Sequence, residues 1–181
     1  MTLSIYDFAI DAFVPMLGTL THLLDKLTAH AAARSVDVAS LVDARLAPDM
    51  LPFGSQVRLA CQHAAHAVAR LIGEDPPPME RVHESFEQLS TRVRTTIETL
   101  QQVPRAAFDG AAERPIAVVI DAEMAFDMTG LSFLRDWILP NFYFHITTAY
   151  DILRHHGVEL GKRDYMRNVG RYRRPSAPAK I

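Results

Sequence analysis

The sequence predicts an all-α protein, an up-and-down four-helix bundle with a small β-hairpin before its last helix. Three observations carry this expectation. Four long segments place apolar side chains at steps of three and four residues, the period of one helical face. Prolines and glycines fall between these segments, where helices must end. A single stretch breaks the pattern, with two short β-prone runs around a polar turn.

The first segment covers about residues 3–33, with Ile5, Phe8, Ala9, Ala12, Met16, Leu20, Leu23, Leu27 and Ala31 on one face. Pro15 lies inside it and lacks a backbone donor, so a kink or a break into two pieces is expected. A shorter helix over residues 38–46 follows Asp37, a residue suited to capping. Residues 47–54 contain Pro48 and Pro52 and read as a rigid connection. The second long helix is expected over residues 55–72, capped by Ser55 and ended by Gly73. Its inward stripe is Val57, Cys61, Ala64, Val68 and Leu71. Beyond the surface link at residues 74–78, a third helix over residues 79–103 puts Val82, Phe86, Leu89, Val93, Ile97 and Leu100 on one side. Pro104 ends it. Residues 116–120 and 124–128 read as the hairpin, which needs a surface to lean on. The last long helix covers about residues 131–156, bent at Pro140 and closed by Gly157.

Composition narrows the function classes. Hydrophobic residues make up 49% and charged residues 22% of the 181 positions, enough apolar material for a full core. The net charge of −2 gives no electrostatic case for a nucleic-acid or membrane partner. The single cysteine, Cys61, excludes an intrachain disulfide and suits a reducing compartment. The acidic first residues do not resemble a signal peptide, and no apolar run is long enough to span a membrane. A cytoplasmic protein is expected. The last 21 residues hold seven Lys or Arg against one Asp, so residues 161–181 read as a basic, solvated tail behind a bundle at residues 1–160.

Chemistry concentrates on the last helix. With His145 at the origin of a helical wheel, Leu131, Leu134, Ile138, Asn141, Phe142, Ala149, Ile152 and His156 fall within about 60° of it. His145 thus lies in the most apolar stripe of the chain, with Asn141 one turn before it. A buried imidazole without a partner costs about 1–3 kcal/mol, so both polar groups must bond to something. His156 lies too far along the helix to share a ligand with His145. His63 and His66 have the spacing of a helical metal pair but fall on the polar side of the second helix. Trp137, Tyr143, Phe144, Ile146 and Tyr150 lie off the core stripe. Either the hairpin and first helix cover them or they belong to a homodimer interface, which their aromatic character favours.

The run Pro140-Asn141-Phe142-Tyr143-Phe144-His145, continued by Thr147 to His155 and by Gly157-Val158 and Gly161-Lys162, resembles an uncharacterised bacterial family of the DinB/YfiT-like superfamily. Ala44 to Met50 and Gln56-Val57 support the resemblance. It implies a bundle, commonly dimeric, whose relatives bind a divalent metal such as zinc or nickel through three histidines and act on thiols. Carried onto this chain, the last-helix pair of ligands falls on Asn141 and His145, and the second-helix ligand on Cys61 or Gln62. Of the three histidines only His145 remains. An amide oxygen is a poor ligand for zinc or nickel, unless a carboxylate such as Asp49 joins the set.

Three functions follow. The broken ligand pattern favours a small-molecule binder with a pocket lined by Asn141, His145, Cys61 and Gln62. Next comes a metal-dependent thiol transferase or hydrolase, and then a structural or stress-associated dimer. No phosphate-binding loop, dinucleotide motif or nucleophile–base motif is present.

Overall fold

The computed structural model describes residues 4–174. Helix α1 (Ile5–Arg34) begins with a reciprocal cap, Ser4 and Asp7 bonding each other's backbone and side chain, and ends at Ser35. It runs unbroken through Pro15, so the expected division into two pieces does not occur. Its buried face is broader than the sequence stripe and includes Ile10, Phe13, Leu17 and Leu24, whereas Phe8 is half exposed. Helix α2 (Val38–Val42) is capped by Asp37 as expected but is shorter than the predicted 38–46. The chain then folds back so that the Phe53 amide donates to the Ala44 carbonyl, which sets the start of α3 (Phe53–Ile72) two residues before Ser55. Gly73, at φ 85°, ends α3 in the left-handed region.

Helix α4 (Phe86–Gln102) starts seven residues later than the periodicity suggests. Ser85 and Gln88 form its capping box, and residues 79–84 before it are not helical, leaving Val82 half exposed. Those residues travel back along α3. Arg58 and Gln62 on α3 both donate to the Glu80 carbonyl, and Arg92 on α4 binds the Glu80 and Glu84 carboxylates at 3.0 and 2.8 Å. The return has a consequence for topology. Leu89 in the first turn of α4 meets Gly54 in the first turn of α3, so α3 and α4 run in the same direction. Strict alternation of an up-and-down bundle therefore holds for α1, α3 and the last helix, but not for α4.

Strands β1 (Pro115–Val119) and β2 (Ala125–Thr129) form the expected antiparallel hairpin, with Ala117 opposite Asp127. It leans inward on Ile116 and Val118, Arg70 of α3 donates to the Ala117 carbonyl, and Phe126 meets the Trp137 ring at 5.7 Å. The last long helix is in three parts: a single turn α5 (Gly130–Ser132), a π-helical stretch Phe133–Ile138 and α6 (Leu139–His155). The Leu139 amide reaches back five residues to the Leu134 carbonyl. Proline at the next position has no amide, and its ring would strike the carbonyl four residues earlier in an α-helix; the wider turn relieves that clash. The wide turn also rotates everything before it by roughly 100° relative to α6. Phe133 is therefore buried and Leu131 exposed, the reverse of the wheel's assignment for Leu131.

The basic segment opens with α7 (Lys162–Tyr165), which docks on the bundle. Asp164 pairs with His22 at 2.7 Å, Thr19 donates to the Tyr165 carbonyl, and the Tyr165 hydroxyl meets Thr147. Residues 175–181 of the expected tail lie outside the described residues. No helix among the described residues is long and apolar enough to cross a membrane.

Gly130 locks the hairpin to the last helix. A Cβ there would lie 1.8 Å from the Ala111 carbonyl oxygen, while the next amide, of Leu131, donates to Ala112. Gly130→Ala should lower stability by about 1–3 kcal/mol in urea unfolding, as overpacking against rigid backbone does. An unchanged midpoint would show that this junction yields freely.

Candidate functional site

His145 is buried on α6, and its Nδ1 lies 2.7 Å from Gln56 Oε1 on α3. The orientation of that amide is fixed, because Gln56 Nε2 donates to the Leu51 carbonyl at 3.1 Å. Gln56 Oε1 is therefore the acceptor, Nδ1 of His145 carries the proton, and Nε2 holds a lone pair. On one side the His63 ring stacks on His145, centroids 5.3 Å apart and planes inclined by 16°. Phe144 meets the same ring edge-on at 5.4 Å. Burial pushes both imidazoles down to about 4, helped at His63 by His66 and at His145 by His63 and then Arg58. Both rings are neutral at physiological pH.

This cluster differs from the set expected at Asn141, His145, Cys61 and Gln62. Asn141 is half-buried and turns its amide nitrogen onto the Trp137 carbonyl of its own helix at 2.7 Å. Cys61 faces α4, where it lines a small cavity together with Thr96 and Arg92. Burial pushes its thiol up to about 12, so at neutral pH it is no thiolate. Gln62 accepts from Arg58 at 3.0 Å and donates to the Glu80 carbonyl. The structure thus brings none of these three to His145. It brings instead Gln56 and His63, the latter half-buried rather than on a solvated face. Gln56 and His63 are seven residues apart, on the side of α3 that packs against α6. A wheel ranks residues by polarity and cannot say which neighbour a polar one will meet.

Several of the apolar and aromatic residues assigned off the core stripe are covered within the chain. Ile146 is fully buried, Trp137 packs on Phe126, and Tyr150 meets the Tyr165 ring at 5.9 Å. Tyr143 and Phe144 remain exposed, the latter at 56%.

The donor set does not fit a transition-metal centre. Two imidazoles that stack face to face do not converge their lone pairs on one point, the Asn141 amide is turned to its own helix, and Cys61 lies on another side of α3. Among the described residues, no three His, Cys, Asp or Glu side chains group to hold a metal ion.

A larger opening lies between α3 and α4. This cavity, about 740 Å³, has an apolar floor that includes Val68, Ile72, Leu100 and Val103. Thr91, Thr95 and Thr99, four residues apart on α4, and the chain at Glu74, Asp75 and Pro77 also line it. A smaller cavity of about 150 Å³, lined by Cys61 and Gln62, shares Ala65, Pro77, Arg92 and Thr96 with it. The threonine spacing is a signal that the sequence carried, but it reads equally as a solvated helix face.

Four long helices with a hairpin before the last one, and a polar cluster joining α3 to α6, define a DinB-like bundle. The chain belongs to the family described as a domain of unknown function, DUF1993, whose model matches residues 5–166. A crystal structure of a DinB family member protein from Shewanella denitrificans is similar to it at 35% identity and a TM-score of 0.81. That match covers 97% of this chain and 94% of the other. No curated protein matches the chain.

Two outcomes test the site. His63 and His145 stay neutral in the fold to about pH 4, whereas in the unfolded chain they take up protons near the ordinary imidazole value of about 6.5. The stability they contribute is complete above about pH 6.5 and is lost as pH falls toward 4. The urea midpoint should drop over that window, and His63→Gln should flatten the drop; an equally steep slope in the variant would refute the assignment. Cys61 should not react with Ellman's reagent in the folded protein and should react fully in urea; rapid native labelling would contradict its burial.

Proposed function

We propose that this protein binds a small, largely apolar molecule in the groove between α3 and α4, without a metal at the His145 position. The cavity of about 740 Å³ carries this reading. Its volume lies within the range of small-molecule sites, and its apolar floor with hydroxyls along one wall matches their usual make-up. The sequence pointed to a binder with its pocket at His145; the groove moves that pocket to the opposite side of α3, where two of the expected residues, Cys61 and Gln62, do line the adjoining cavity. The second reading, metal-dependent thiol chemistry, would draw on His145 Nε2, which has a free lone pair, with the stacked His63 ring as its neighbouring imidazole.

Titration with the neutral dye N-phenyl-1-naphthylamine tests the groove. Fluorescence should rise on saturable binding that EDTA leaves unchanged. Ala69→Phe, which fills the groove from a half-buried position on α3, should weaken binding at least about tenfold while the helical spectrum is kept. His145→Gln should leave the affinity within about twofold. A dye that fails to bind, or that binds Ala69→Phe as tightly as wild type, would remove the groove as the ligand site.

A further inference from the structure

We infer that the ligand of this groove is an amphiphilic amine, an apolar body ending in one ammonium group that still carries N–H bonds. The inference rests on the groove being the ligand site, and it comes from the charges around it. Glu74, Asp75, Glu84 and Glu87 line the cavity against a single cation, Arg92. Arg92 is already held by Glu84 and Glu80 at 2.8 and 3.0 Å, so it has no free charge to offer an anion. Glu87 accepts from the Ser85 hydroxyl at 2.8 Å. Glu74 and Asp75 remain. Neither makes a side-chain hydrogen bond or an ion pair among the described residues, and both stand at the end of the groove just past Gly73. Arg114 reaches the same end of α3, but it donates to the Leu71 carbonyl and pairs with neither carboxylate.

An anionic head would therefore meet two unpaired carboxylates, and a neutral one would gain a hydrogen bond from them but no charge attraction. A cation is attracted. The kind of cation follows from what else lines the groove. No aromatic side chain does, so the ring faces that bind quaternary ammonium groups are missing. What the walls offer are hydrogen-bond acceptors, the two carboxylates and the hydroxyl oxygens of Thr91, Thr95 and Thr99. These suit a primary or secondary ammonium group. The apolar floor takes the remainder of the molecule, because a polar body there would leave its hydrogen bonds unmade.

The test uses four probes with the same ten-carbon chain, below their micelle concentrations, displacing the dye from the full-length protein at neutral pH. Decylamine should bind roughly threefold to tenfold tighter than 1-decanol, as two exposed carboxylates allow. Decanoate and decyltrimethylammonium should both bind more weakly than decylamine, and added salt should shrink its advantage. In Glu74→Gln/Asp75→Asn, decylamine should fall to the level of 1-decanol while 1-decanol itself is unchanged. If the dye and 1-decanol bind but decylamine gains nothing, or if its advantage survives in the double variant, the amine assignment is overturned and the groove stands. If neither the dye nor any of the four probes binds, the groove itself falls and the amine with it.

Discussion

The carbonyl oxygen of Glu80 accepts from two side chains of α3, Arg58 Nη1 and Gln62 Nε2, and the path of the whole return segment depends on it. Arg58 is a buried guanidinium, 6% exposed, with no carboxylate in ion-pair contact, and desolvation pushes its pKa down. Hydrogen bonds from charged donors contribute about 1.5–3 kcal/mol, and without the Glu80 carbonyl that charge would lie buried with one acceptor fewer. The same segment presents its carboxylates to Arg92 on α4. One short stretch of non-helical chain thereby sets where α4 begins, makes it run parallel to α3, and holds it far enough off to leave a groove between them. Cys61, 2% exposed, lines the small cavity beside Glu80.

A second constraint acts on the other side of α3. The π-helical turn ahead of Pro140 changes the rotation of the chain between the hairpin and α6. Phe133 and Leu134, at the start of the turn, face the core; after it Phe142, His145 and Ala149 do. A straight α-helix with the same sequence could not bury Phe133 and keep His145 against Gln56. Asn141 turns its amide to the Trp137 carbonyl and His145 bonds Gln56, so two polar residues one turn apart bond to different partners.

The chain keeps the DinB-like scaffold, and a hydrogen-bonded imidazole cluster occupies the join between α3 and α6. A glutamine amide orients one imidazole, and a second imidazole covers it. The arrangement resembles half of a metal centre, with the orienting hydrogen bond on Nδ1 that a metal-binding histidine uses. The cluster is a buried polar seam where α3 and α6 meet, joined by the Gln56–His145 hydrogen bond and the stacked His63 ring.

Much of the architecture was legible in the sequence. Helical periodicity, Asp37 as a cap, Gly73 as a stop and the β-prone runs at residues 116–128 are local features, set by backbone sterics and by the three-to-four-residue spacing of apolar side chains. The Ser85–Gln88 capping box was also written there, although the periodicity at residues 79–84 masked it. The special importance of the last helix and of His145 followed from the same kind of reasoning, since a lone imidazole in an apolar stripe must find a partner. Which partner it finds was decided only in three dimensions. Gln56, His63, Cys61 and Gln62 all lie on α3, and periodicity places each on a face without saying which helix will cover that face. The rotation of α6, the direction of α4 and the groove between α3 and α4 arise from contacts between residues distant in sequence, such as Arg58 with Glu80 and Gln56 with His145. No single helix encodes such contacts, because each depends on the angle and offset at which two helices meet.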